Sequence, residues 1–250
     1  MFIGEKIGFW FKNARPVSLP QSLLPAAVAL GLAASQRPAE FSLFWGLLAV
    51  LGVALAHLSL NLFDDYFDYS KLKSDYRRKL AAKGQQARTS KCPYLLNGSA
   101  TQSELLLACL AFGAAACLCG LPILLVRGSV ILWPVVLCLF LGFFYSAPPL
   151  RLSYHGLGEI IGIIFGPLLM LGVYLSACGS LDFVIWPLAV SMGLLVCNIA
   201  YVHSLLDIAP DKYAGKSSLP EILPTPDAKR WGSFIFTFGA FGIMEILTIV

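Results

Sequence analysis

Three aspartates fall within five positions, Asp64, Asp65 and Asp68, directly after a run of residues, 41–63, that carries no formal charge. If a helix continues through Asn61-Leu-Phe-Asp-Asp-Tyr-Phe-Asp68, then Asn61 stacks one turn below Asp65, and Asp64 one turn below Asp68. All four then project from one face. A carboxylate at the centre of a membrane helix costs roughly 2.5–3.5 kcal/mol. Three at one helix end therefore call for a wet cavity or a cation.

A second polar cluster comprises Asn198, His203, Asp207, Asp211, Lys212 and Lys216. His203, Asp207 and Asp211 follow one another at intervals of four, so a shared helical face is expected, with Asn198 and His203 as candidate substrate contacts. Each cluster follows an apolar run, has an upstream Asn and is trailed by basic residues. That placement suggests a duplicated helical unit with a site between the two copies. Two chemistries suit facing carboxylate clusters. One is a divalent-cation site for a diphosphate, since Mg²⁺ combines a few carboxylates with water and phosphate oxygens. The other is a cation or proton pathway, as in a cation-coupled transporter. The acids sit at the ends of the apolar runs and not at mid-depth, which favours the first and leaves the second open.

The elements that must position these residues are legible in the composition. Of 250 residues, 58% are hydrophobic and 13% charged, with mean hydropathy +0.76, against about 25% charged in soluble domains. The expected fold is all-α, a polytopic transmembrane helical bundle. Seven apolar segments are long enough to span, near 17–35, 41–63, 105–126, 129–147, 160–178, 183–206 and 231–250. Pro20 and Pro25 weaken the first. Ahead of it, Glu5, Lys6, Lys12 and Arg15 mix with Phe9, Trp10 and Phe11, which reads as an interfacial helix and not a cleavable leader. Six of the seven cysteines lie inside apolar segments, without metal-ligand spacing. Cys92 lies in the long loop, and the lack of a disulfide framework in the spacing fits a reducing compartment.

With seven spans, one side of the membrane receives residues 1–16 and loops 64–104, 148–159 and 207–230, which together hold 16 Lys/Arg. The other side holds only Arg37 and Arg127. The positive-inside rule then puts the N-terminus and both acidic clusters on the cytoplasmic side of a cytoplasmic (inner) membrane. The net charge of +4 follows from topology, so no nucleic acid partner is expected; the bilayer is.

Together these residues resemble the UbiA superfamily of membrane prenyltransferases, across nearly the whole chain. Asn61-Leu-Phe-Asp-Asp65-Tyr-Phe-Asp68 is similar to the first Asp-rich motif of the branch that prenylates 1,4-dihydroxy-2-naphthoate. Its Asp64-Asp-Tyr-Phe-Asp68 portion also resembles the DDxxD string of soluble prenyl diphosphate synthases. Asp207-Ile-Ala-Pro-Asp211-Lys-Tyr-Ala-Gly-Lys216-Ser-Ser-Leu-Pro is similar to the second Asp-rich motif. Ala14-Arg-Pro-Val-Ser-Leu-Pro20 resembles that branch's approach to its first helix, and Tyr145-Ser-Ala-Pro-Pro149 with Tyr154-His-Gly-Leu-Gly-Glu159 its helix-four-to-five loop.

The resemblance implies transfer of a polyprenyl group from its diphosphate to an aromatic acceptor. Asp65, Asp68, Asp207 and Asp211 would hold Mg²⁺ and the diphosphate, with Asp64 a further candidate ligand and Asn61 assisting. Tyr145 would face the allylic carbon, where a π-face stabilises developing positive charge. In the naphthoate branch the ring carboxylate leaves and the product is demethylmenaquinone. Pro149 stands where the 4-hydroxybenzoate branch carries Lys, which favours naphthoate over 4-hydroxybenzoate, homogentisate or a glycerol phosphate ether. The branch's basic pair before Thr-Gln-Ser is replaced by Asn97-Gly-Ser99, leaving Arg77, Arg88, Lys91, Arg151 and Lys216 as candidate diphosphate contacts. The family usually has nine helices. The expectation is thus one membrane-embedded prenyltransferase domain over 1–250 with seven spans, either a sequence without the family's C-terminal pair or a short relative whose tunnel closes differently.

Overall fold

A helix forms over each of the seven apolar segments, and polar punctuation sets where each stops. The computed structural model describes residues 3–69, 76, 79, 80, 82, 83 and 92–249. In chain order the helices are α1 (Ile3–Asn13), α2 (Pro20–Gln36), α3 (Leu43–Asp68), α4 (Pro93–Leu96), α5 (Gln102–Arg127), α6 (Leu132–Phe144), α7 (Gly158–Cys178), α8 (Ile185–Leu206), α9 (Ile208–Tyr213), α10 (Leu219–Ile222) and α11 (Pro226–Ile249). Among the described residues there is no strand, only an isolated bridge between His155 and Ser217. The chain is all-α, as expected.

The ends follow local chemistry. Thr101 and Glu104 form a reciprocal capping box at the start of α5, each side chain bonded to the other's backbone N–H. Both α5 and α7 stop at glycines with positive φ, Gly128 and Gly179. The fourth segment is shorter than its apolar run, because residues 129–131 form a 3₁₀ turn and the chain leaves the helix ahead of Pro148-Pro149. Among the described residues, α3, α5, α7 and α8 are long and apolar enough to cross a membrane. Length and composition therefore support four of the seven expected spans. Helices α2 and α6 have 17 and 13 residues, and α11 begins with Asp227, Lys229 and Arg230.

Helix α7 is the axis of the bundle, with most of its residues buried and α2, α3, α6 and α8 packed around it. Helix α3 pairs with α5, and α8 with α11. The outward faces stay apolar: Leu107, Leu118 and Leu125 of α5 and Phe234, Ile235 and Phe238 of α11 are exposed. An aqueous surface would not carry such stripes, and a lipid-facing one would. A core of Ala26, Ala29 and Ala33 from α2 against Met170, Val173 and Tyr174 of α7 holds one half together. Leu58, Leu62, Tyr94, Leu105 and Ala108 fill the space beneath the acidic end of α3.

The far end of the bundle is closed by polar contacts. Arg127 donates to the carbonyls of Ser176 (2.9 Å) and Ala177 (2.6 Å), which end α7 without helical partners. Arg37 pairs with Glu40 (2.9 Å) and Asp182 (3.1 Å), and Ser180 donates to Glu40 (3.0 Å). We expect Arg127→Ala to cost about 1–3 kcal/mol by removing the donor to the Ser176 carbonyl, whereas the Ala177 carbonyl keeps the Ser42 N–H at 2.9 Å. A melting curve of the purified variant in detergent checks this.

Candidate functional site

The C-terminal turn of α3 enters a cage of donors supplied by four other segments. Arg15 reaches across from the connection between α1 and α2, its Nη2 at 3.2 Å from Asp64 Oδ2 and 3.3 Å from Asp65 Oδ1. The same nitrogen donates to the carbonyl of Asn61 at 2.7 Å. Arg15 holds a left-handed backbone conformation, φ 59°, which costs a residue with a Cβ free energy and persists where surrounding contacts fix it. Burial alone would lower the Arg15 pKa, but Asp65 and Asp64 beside it hold the guanidinium above its ordinary value. Tyr94 donates to Asp65 Oδ2 at 2.9 Å. Burial, and next the charge of Asp65, push its phenol well up, so it stays a donor. Ser146 donates to Asp64 Oδ1 at 2.5 Å. Tyr154 donates to Asp68 Oδ1 at 2.7 Å, and Lys216 forms an ion pair with Asp68 Oδ2.

Asp65 and Asp68 are 2% and 7% exposed. Buried carboxylates persist only when paired, and Arg15 and Lys216 supply the pairing from opposite sides. Lys216 belongs to the second cluster, so its ion pair brings the two Asp-rich segments to one end of the bundle. The second segment is stapled by backbone bonds, Asp211 N–H to Asp207 C=O (2.8 Å) and Lys216 N–H to Asp211 C=O (2.9 Å). Gly215, at φ +72°, makes the reversal that aims Lys216 at α3. Asp207 is fully buried. The segment is zipped to the α6–α7 loop by Ser217 N–H to Tyr154 C=O (3.2 Å) and Gly156 N–H to Ser217 C=O (2.7 Å). Buried Glu159 accepts the Leu219 N–H at 3.2 Å, fixing α10 on the start of α7. Tyr213 stacks on Tyr76 at 3.8 Å, a further link to the loop after α3.

Of the residues expected at the site, Asn61, Asp64, Asp65, Asp68, Tyr145, Arg151, Asp207, Asp211 and Lys216 lie at this end. Arg151 and Lys216 stand 5.3 and 4.9 Å from the ring centroid of Tyr154. Asn61 spends its amide on Ala14 C=O (2.9 Å) and Ser18 Oγ (2.8 Å), tying the Arg15 segment to α3. The Tyr145 carbonyl accepts from Ser153 N–H (3.0 Å) and Oγ (2.8 Å), and its hydroxyl lies against Gly158. Asn198 instead faces α11, donating to Thr237 (2.9 Å) and accepting from Ser233 (2.8 Å). The shared face expected for His203, Asp207 and Asp211 is broken: α8 ends at Leu206, and Pro210, which has no N–H to continue the ladder, sits in the first turn of α9. His203 is exposed whereas Asp207 is buried. Arg77, Arg88 and Lys91 lie outside the described residues.

Arg15, Tyr94, Ser146, Tyr154, Glu159 and His57 also lie here, with no site role expected of them from sequence. His57 was the visible one, a polar side chain inside an apolar run. Its Nε2 lies 2.9 Å from Ser18 Oγ and its Nδ1 2.5 Å from Ser22 Oγ, two turns below Asp64 and Asp65.

Among the described residues no group of three His, Cys, Asp or Glu side chains forms a metal cage by itself. The donor set is hard oxygen on two converging segments, with cations already present for an anion. Such a set fits Mg²⁺ held by one or two carboxylates together with phosphate oxygens and water.

Comparison with known proteins bears on the fold and the family. The model of the UbiA prenyltransferase family matches residues 22–250. The 1,4-dihydroxy-2-naphthoate octaprenyltransferase of Mycobacterium tuberculosis is 28% identical over 214 residues, 84% of this chain and 68% of that protein. The Escherichia coli protein of the same name is 28% identical over 232 residues, covering 89% and 70%. A UbiA homolog from Archaeoglobus fulgidus, solved bound to DMAPP and Mg²⁺, superposes with a TM-score of 0.65 at 20% identity, covering 96% of this chain and 75% of that one.

Proposed function

Because this chain belongs to the UbiA prenyltransferase family, we propose that it transfers a polyprenyl group from its diphosphate to 1,4-dihydroxy-2-naphthoate, in a Mg²⁺-dependent reaction on the cytoplasmic side of the membrane. The observation that carries this reading is the Lys216–Asp68 ion pair, which joins the two Asp-rich segments at one end of the bundle. Relatives named for the naphthoate acceptor support the choice of ring.

Asp65, Asp68, Asp207 and Asp211 would hold the metal, which when bound would supply charge neutralisation for the diphosphate leaving group. Lys216 and Arg151, both beside Tyr154, take the phosphate oxygens. Arg15 has a further donor to give, because its buried Nε has no hydrogen-bond partner among the described residues. Tyr145 offers its π-face to the allylic carbon as charge develops there. The apolar wall of α3, α5 and α7 below the acids keeps water from that carbon. The ring then attacks, and its carboxylate departs as CO₂.

Purified protein in detergent, given radiolabelled prenyl diphosphate and a panel of acceptors, tests the reading. We expect product with the naphthoate, loss of product in EDTA and recovery on adding Mg²⁺. Product with 4-hydroxybenzoate or homogentisate alone would reassign the acceptor, and undiminished transfer in EDTA would remove the metal.

A further inference from the structure

Asp64 stands apart from its neighbours in what it touches. Asp65 meets Tyr94, and Asp68 meets Tyr154 and the second Asp-rich segment through Lys216. Asp64 reaches the end of α6, where Ser146 donates to its Oδ1 at 2.5 Å, while Arg15 donates to its Oδ2 at 3.2 Å. Ser146 is 3% exposed and directly follows Tyr145. Both carboxylate oxygens of Asp64 thus point at protein donors from two separate segments, 49 and 82 residues away in sequence. From the other side, the Tyr145 carbonyl is held by the Ser153 backbone and hydroxyl.

We infer that Asp64 is a positioning residue, which fixes Tyr145 through Ser146 and anchors the Arg15 segment. This rests on the function proposed above. Tyr145 caps α6 in a helical conformation, and the Ser146 hydroxyl on the next residue ties that last turn to Asp64, so a displacement at Asp64 reaches the ring. Alongside it, Phe63 and Phe67 of α3 pack on Phe143 of α6. Apolar contact sets separation, and the hydrogen bond sets register.

The test compares Asp64→Ala, Ser146→Ala, the double variant, Asp64→Asn and Asp68→Ala in the purified full chain. Turnover is measured alongside Mn²⁺ affinity in the presence of an unreactive prenyl diphosphate analogue. Asp64→Ala and Ser146→Ala are each expected to lower kcat by about tenfold or more, with KM for the prenyl diphosphate and Mn²⁺ affinity held within about twofold. The double variant should be no worse than Asp64→Ala, because both remove one link. Asp64→Asn should recover most of the rate, since its amide oxygen still accepts the Ser146 hydroxyl. Ser146→Ala deletes only a hydroxyl, so it reads the link even where Asp64→Ala fails to fold. Loss of Mn²⁺ at Asp64→Ala equal to that at Asp68→Ala, or kcat losses that add in the double variant, overturns the inference. An Asp68→Ala protein that keeps both Mn²⁺ and turnover overturns the reading of the whole site, and this inference with it.

Discussion

Replacing Asp68 with Ala is expected to lower turnover by on the order of 10³-fold or more while leaving a folded, membrane-embedded protein. The size follows from where Asp68 sits. It is the only carboxylate among the described residues of the first Asp-rich motif that an ion pair of the second motif reaches, through Lys216. It also fixes Tyr154, whose ring lies beside both Lys216 and Arg151. One substitution thus removes a proposed metal ligand, releases the cation facing it and frees the aromatic ring between two phosphate-binding side chains. Folding should survive, because the helix ends there and the packed core of Leu58, Leu62 and Leu105 lies a turn or more below. Turnover with labelled prenyl diphosphate, together with a melting curve, separates the two effects. An Asp68→Ala enzyme retaining a tenth of the rate would contradict the two-sided clamp.

How much of this was legible in the sequence depends on the range over which each signal acts. Acid spacing of four and the uncharged run before it are local, and the end of α3 folds as that spacing requires. The choice between a diphosphate site and a cation pathway was not local, and family membership decides it for the transferase. Partners of the acids lay beyond any periodic reading: Arg15 is 49 residues from Asp64, Ser146 is 82, and Lys216 is 148 from Asp68. Long-range pairs leave no spacing to find. Asn198 did leave one. It stands nine positions before Asp207, which on a helix of 3.6 residues per turn is the opposite face, and that face meets Ser233 and Thr237 of α11. The second motif misled by its own regularity. Intervals of four suggested one helix through His203, Asp207 and Asp211, whereas Pro210 and the change of direction at Asp207 divide it into α8 and α9.

The largest expected loss of stability comes from a residue with no chemistry of its own. Gly193 on α8 lies against Gly166 on α7, and Gly162, a turn earlier on α7, lies against the backbone of Cys197. A Cβ built on Gly193 would stand 2.5 Å from the Ile163 carbonyl oxygen and 2.8 Å from Pro167 Cδ, and one on Gly166 would stand 2.7 Å from the Gly193 Cα. Those neighbours are backbone or a rigid ring, so they cannot rotate aside as a flexible side chain would. In lipid, small residues that let backbones touch are a main source of helix association. Gly193→Val is therefore expected to cost at least the roughly 1–3 kcal/mol typical of overpacking. The consequence reaches the site, since α8 leads to Asp207 while the first turn of α7 carries Glu159, which holds α10. Any Gly193→Val protein that survives with its helices forced apart should lose turnover as well as stability. Gly172→Ala, on the same α7 helix, is the control: its Cβ meets nothing within 4 Å, and replacing a helical Gly gains up to about 1 kcal/mol. Melting temperature and folded yield in detergent decide the matter. Equal melting of Gly193→Val and the unaltered chain would mean that the α7–α8 contact is looser than the glycines imply, and that something else holds the two Asp-rich segments together.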